Sequence, residues 1–169
     1  MVDILLLQTV SIAIASTGVF LAAVYYILQI RHQTKMRQSD LIIRLYSVYS
    51  GKTLQKALAI VMALDYKDYE DFVKKYGPMP STSPNEVLIS VGIVGTFFEG
   101  VGVLLSERLL DINLVLKLFA VEMYWKKVEP LVKEGRKQLT PEHWQWCAYL
   151  YNEVKKRKQI LQQKGVKSG

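Results

Sequence analysis

The strongest constraint on this chain is a run of 27 residues, Ile4 to Ile30, without one charged side chain. As a helix it would reach about 40 Å, at roughly 1.5 Å per residue, against a bilayer hydrocarbon core of about 30 Å. A cleavable signal peptide is the competing reading. It needs a basic front, and the charge ahead of the run is Asp3. Ala13-Ile14-Ala15 has the look of a cleavage site, yet apolar sequence continues past it. The run reads as a retained anchor over residues 4–30.

The flanks set an orientation. Arg31, Lys35, Arg37 and Arg44 follow the run, and no Lys or Arg precedes it. The excess of Lys and Arg on cytoplasmic flanks predicts an N-terminus outside and everything after Arg31 in the cytoplasm, a single pass through the inner membrane. The four cations then lie at the membrane surface, where each gains about 1 kcal/mol against anionic lipid. A second apolar stretch, Val87 to Leu105, contains Glu99 and four glycines. A carboxylate near the bilayer centre costs at least ~2.5 kcal/mol. Crossing there would also carry 13 Lys and Arg residues to the outer side. This stretch reads as a buried core helix.

The remainder reads as helical throughout, with no alternating strand pattern and no repeat. A juxtamembrane helix over 31–50 carries Leu41, Ile42, Leu45, Val48 and Tyr49 at helical spacing. A helical cytoplasmic domain of five or six helices over 51–160 follows, then a disordered tail over 161–169. Thr53 to Leu64 forms one helix. Asp68 caps a short one that ends at Gly77-Pro78. Ser83-Pro84-Asn85-Glu86 places Ser at N-cap, Pro at N1 and Glu at N3 of the glycine-rich helix. Asp111 starts the next helix, which runs through Trp125 and Val128 until Pro130 kinks or ends it. Thr140-Pro141 opens the last. The fold class is all-α: one N-terminal transmembrane helix followed by a compact cytoplasmic helical domain.

Within the glycine-rich helix, Gly92, Gly95, Glu99, Gly102 and Ser106 recur at three, four, three and four. They share one face, bare apart from a carboxylate. Each interior glycine costs roughly 0.8–1 kcal/mol of helix propensity, so something has to approach that backbone closely. A neighbouring helix, with Glu99 paired to an Arg, Lys or Tyr, would satisfy it. So would a groove for a ligand or partner segment with Glu99 at its floor. Glu99 as a catalytic base comes last. The anchor carries a similar face, Ser11, Ala15, Gly18 and Ala22, whose small residues let membrane helices pack closely.

The chain has a net charge of +7, patterned as basic ends around a nearly neutral middle. Lys155 to Lys158 reads first as a solvated helix end. Nucleic acid comes last among partners, because no binding motif accompanies the charge. One cysteine and two histidines leave no disulfide framework and no metal-ligand spacing. Gly51-Lys52-Thr53 imitates the end of a phosphate loop, but the motif needs glycine where Tyr46 stands. No cofactor and no catalytic residue is expected.

The run Phe97-Phe98-Glu99-Gly100-Val101-Gly102-Val103-Leu104-Leu105, with Leu110-Asp111-Ile112-Asn113 after it, resembles the signature of a family of prokaryotic membrane-anchored helical proteins known only as a domain of unknown function. The layout is similar too. The span ends near an Arg- and Gln-rich stretch (Ile30 to Gln38), and an amphipathic helix follows (Leu41 to Tyr49). Tyr124 to Pro130 and Trp144 to Tyr151 complete the pattern. The turn Ser106-Glu107-Arg108-Leu109 departs from it, since a more basic or glycine-containing turn is expected there. The resemblance implies a fold and a location, and no activity. The sequence points to a membrane-anchored interaction module that works with the lipid bilayer and either its own copies or another membrane protein. The alternative is a ligand-binding sensor or enzyme using Glu99 in a glycine-lined groove.

Overall fold

A computed structural model describes residues 4–79 and 81–166. All regular structure among them is helical: α1 (Ile4–Tyr49), α2 (Lys52–Met62), α3 (Tyr69–Tyr76), α4 (Glu86–Ser106), α5 (Ile112–Leu118), α6 (Val121–Gln138) and α7 (Gln145–Val166). The chain divides into two compact units, one through Asp40 and one from Leu41 onward.

The first unit is the N-terminal part of α1. Its apolar side chains face outward, with Val19 71% and Phe20 68% exposed. Its hydroxyls turn back onto their own helix. Ser11 donates to the Leu7 carbonyl at 2.8 Å, and Thr17 donates to the Ala13 carbonyl at 2.8 Å.

The second unit has a single core, in which α4 packs chiefly on α7 and α2. Val91, Val94, Phe98 and Val101 of α4 are completely or almost completely buried, together with Val61 of α2, Val128 of α6 and Leu150 of α7. The last turns of α1 enter this core through Ile42 and Tyr49. The Tyr49 ring meets Phe97 and Phe119 at centroid distances of 5.6 and 5.0 Å.

The helix boundaries follow local chemistry in places and tertiary contacts elsewhere. Asp68 caps α3 by accepting from the Asp71 N–H at 2.9 Å, and Gly77 ends it at φ 95°, a conformation suited to glycine. Asp111 caps α5 by accepting from the Asn113 N–H at 2.7 Å. The cap of α4 is Asn85 rather than Ser83. Its side chain accepts from the Leu88 N–H at 3.0 Å and donates to the Tyr76 carbonyl at 2.7 Å. Ser83 instead lies in the preceding turn, its N–H donating to the Ser81 hydroxyl at 3.2 Å.

Four expected boundaries move. The helix predicted from Asp111 to Pro130 is broken at Phe119 and Ala120. There Tyr49 accepts the Ala120 N–H at 3.3 Å, which supports the break from another helix. Pro130 lies inside α6 instead. It has no N–H to offer the Lys126 carbonyl. Buried Val128, Leu131 and Val132 hold the helix on both sides, and the Lys127 carbonyl accepts the Tyr66 hydroxyl. Thr140-Pro141 does not open the last helix, because a turn intervenes and α7 starts at Gln145. α7 then continues to Val166, where a tail from 161 was expected. Positions 167–169 of that expected tail lie outside the described residues.

α4 closes on a Schellman-type pattern. The Leu109 N–H donates to the Leu104 carbonyl at 2.9 Å, and the Arg108 N–H to the Leu105 carbonyl at 3.0 Å. Arg108 takes the left-handed conformation at φ 59°, which glycine fills most often.

Candidate functional site

The glycine face of α4 is where the sequence placed a contact, and a contact is there. Its occupant is the chain's own segment 144–147. A Cβ on Gly102 would stand 2.6 Å from the Trp146 carbonyl carbon, and nearer still to the carbonyl oxygen. A Cβ on Gly95 would stand 2.7 Å from Cε2 of the Trp144 ring. On α6, a Cβ on Gly135 would stand 2.8 Å from His143 Cδ2. Three glycines thus make room for His143, Trp144 and the Trp146 carbonyl of one short segment.

Glu99 sits between Gly95 and Gly102 and is half-buried. Its two oxygens accept from the Trp146 N–H at 3.2 Å and the Cys147 N–H at 2.7 Å. These amides belong to the first turn of α7, where a helix has no intrahelical acceptors to offer. The carboxylate satisfies them and meets the positive end of the helix dipole. The sequence expected an Arg, Lys or Tyr partner for Glu99; the partner is backbone. It also left open a groove over this face, and the structure fills that groove with Trp144 and Trp146.

The turn before α7 is braced from its other side. Arg136 donates from Nε to the His143 carbonyl at 3.0 Å and from a terminal guanidinium nitrogen to the Trp144 carbonyl at 3.4 Å. Trp144 is held at φ 52°, a region that costs a non-glycine residue energy. The His143 ring stacks on Trp144 with centroids 5.2 Å apart and planes at 14°. Burial lowers the His143 pKa below its ordinary 6.5; Glu99 opposes that shift and Arg136 adds to it.

Two buried groups lie next to this brace. Burial pushes the Cys147 thiol up to about 12, helped by Glu99 and opposed by Arg136. A thiol at that value is not a nucleophile at neutral pH. The Tyr124 hydroxyl is buried without a hydrogen-bond partner among the described residues, and burial drives its pKa well above the usual phenol range. With both Glu99 oxygens engaged, the cluster presents no open base beside a nucleophile. Its physical work is to fix the start of α7 against α4 and α6.

The other residues of the predicted face stand apart from this contact. A Cβ on Gly92 would meet nothing within 4 Å. The Ser106 hydroxyl donates back to the Val103 carbonyl at 2.7 Å. Ser11, Ala15, Gly18 and Ala22 are exposed along α1, and a Cβ on Gly18 also meets nothing within 4 Å. Arg31, Lys35, Arg37 and Arg44 are exposed on the same helix. The basic end of α7 is partly spent inside the domain. Arg157 donates to Asn113 Oδ1 at 2.8 Å, and Lys158 pairs with Glu122. Sequence reasoning missed Arg136, Trp144 and the α7 amides. Bulky Trp144 and Trp146, matched in number to Gly95 and Gly102, were the signal available.

Among the described residues, no group of three His, Cys, Asp or Glu side chains is placed to hold a metal ion. Two helices, α1 and α4, are long and apolar enough to cross a membrane. The most apolar window of α1 is wholly unburied, and that of α4 is 44% buried. No protein family, curated protein or solved structure matches this chain.

Proposed function

We propose that the protein is a membrane-anchored helical interaction module, acting as a self-associating scaffold or as the accessory subunit of a membrane complex. Residues 4–30 are its single span, with the N-terminus outside and the helical domain on the basic, cytoplasmic side. The observation that carries this reading is the N-terminal part of α1. Over residues 4–30 it is a continuous helix with no charge, and its described large apolar side chains, from Val10 to Ile30, are exposed. Covering a large apolar side chain is worth about 1.5–3 kcal/mol, and a bilayer covers all of them at once. The back-bonded Ser11 and Thr17 hydroxyls suit that setting, because hydrocarbon offers polar groups no water. The layout is the one implied by the resemblance to the prokaryotic membrane-anchored family.

Gly95, Glu99 and Gly102 are used inside the domain, which counts against the sensor or enzyme built on Glu99. The contact surface for a partner then falls to the small face of the span, Ser11, Ala15, Gly18 and Ala22. The test is the native mass of the full chain in mild detergent, for the wild type and for Ala15→Leu with Gly18→Leu. A mass that is a multiple of 19.3 kDa, reduced by the double substitution, supports self-association. Additional mass from a second protein, lost in the variant, supports the accessory subunit. A wild-type mass of one chain refutes the proposal.

A further inference from the structure

A cleft of about 540 Å³ opens between the end of α2 and α6. That volume falls within the roughly 300–1,000 Å³ of small-molecule sites. Its walls are apolar: Met62, Leu64, the Tyr66 ring, Met123 and Pro130. The Tyr66 hydroxyl is turned away to the Lys127 carbonyl, and burial keeps it protonated, with a pKa pushed up to about 12. Met123 is 62% exposed; a flexible thioether at that exposure can adapt to a bound apolar body.

The polar lining is unbalanced. Lys67, Lys126 and Lys127 stand there against the one carboxylate of Asp65. The Lys127 ammonium is committed to the Leu64 carbonyl at 2.8 Å. Lys67 and Lys126 form no ion pair among the described residues. Lys67 feels the Asp71 carboxylate without forming an ion pair with it; an apolar pocket flanked by these two ammonium groups is complementary to an acid on an apolar body.

We propose that this cleft binds a small organic anion: an aromatic or short aliphatic body carrying one phosphate or carboxylate, the acid group held by Lys67 and Lys126. The inference does not rest on the membrane reading, since every residue of the cleft belongs to the unit that begins at Leu41. The same chemistry can come from a soluble metabolite or from an anionic lipid headgroup, and the experiment separates the two.

The full chain, labelled with ¹³C at its methionine methyls, is placed in nanodiscs of zwitterionic phosphatidylcholine and titrated with phenyl phosphate. Met62 and Met123 should shift saturably, while Met36 and Met79, which do not line the cleft, should stay. Phenol and inorganic phosphate, each lacking half of the recognition, should bind at least about tenfold more weakly. Lys67→Glu with Lys126→Glu should weaken phenyl phosphate by about tenfold or more with an unchanged melting temperature, and Met123→Glu should do the same from the apolar wall. In a second arm, nanodiscs containing anionic phosphatidylglycerol are compared without phenyl phosphate. Shifts of Met62 and Met123 there identify a lipid headgroup as the source of the anion. No shift in either arm overturns the proposal. So does equal binding of phenol, or undiminished affinity in both variants.

Discussion

Adding one methyl group to α4 should have opposite effects at two glycines of the same helix. Gly92→Ala meets open space, because nothing lies within 4 Å of the new Cβ. It should stabilise the domain by the helix propensity regained, about 0.5–1 kcal/mol. Gly102→Ala gains the same propensity but drives its Cβ to 2.6 Å from the Trp146 carbonyl carbon. That neighbour is backbone, so no rotamer change relieves it, and α4 and α7 must separate by about 1 Å to reach ordinary van der Waals contact. Overpacking of this kind costs about 1–3 kcal/mol. The separation also stretches the bonds that Glu99 accepts from Trp146 and Cys147, and bonds to a charged group are worth about 1.5–3 kcal/mol each. With propensity offsetting about 1 kcal/mol, the net loss is about 2–4 kcal/mol, a large fraction of the roughly 5–15 kcal/mol that holds a domain together. Thermal unfolding of the full chain in mild detergent, followed by near-ultraviolet circular dichroism, reads this directly. Gly102→Ala should melt about 7–15 °C lower than wild type, and Gly92→Ala a few degrees higher. Equal melting of the two variants would refute the packing of α4 on the start of α7.

Four further outcomes follow from the same cluster. Tyr124→Phe removes a buried hydroxyl that has no partner among the described residues and should raise stability by about 1 kcal/mol in the same melting assay. Glu99→Gln keeps the shape but loses the charge that faces the α7 amides; the melt should show a loss of about 1–2 kcal/mol, without change in native mass. The His143 pKa is depressed in the folded state, so the neutral ring is favoured. The contribution is intact above the ordinary value of 6.5 and is lost as pH falls from there through the folded pKa. The melting temperature should therefore drop between pH 7.5 and 5.5, and His143→Gln should flatten that slope. Asp71 and Glu134, lowered by Lys75 and Lys137, act only further down, in the carboxylate range. Finally, Cys147 is fully buried, with its thiol raised to about 12. N-ethylmaleimide at pH 7.5 should label it at least about 100-fold more slowly in the native protein than in denaturant.

The features legible in the sequence were those set by local chemistry. Asp68 and Asp111 act as caps because a carboxylate reaches an amide two or three residues ahead. Gly77 ends α3 because the chain needs a positive φ there. The spacing of Gly95, Glu99 and Gly102 announced a close approach, and one exists. What the sequence hid was decided at a distance. The break at Phe119 and Ala120 has no glycine or proline to mark it; the Tyr49 hydroxyl and the aromatic cluster around Phe119 support it from α1 and α4. Pro130, a strong local signal, was overruled by apolar burial along α6. Thr140-Pro141 has the look of a helix start. Trp144 over Gly95 and the Arg136 bonds hold a turn there instead and delay α7 to Gln145. The partner of Glu99 was missed because amides carry no sequence label.

On the proposed reading residues 4–30 stay in the chain as a bilayer span. Extraction of membranes at alkaline carbonate pH, followed by the intact mass of what remains, separates this from cleavage. The protein should stay in the membrane pellet at its full 19.3 kDa. Protein in the soluble fraction, or a mass shortened by the N-terminal run as a cleaved signal peptide would leave it, would rule out a retained span.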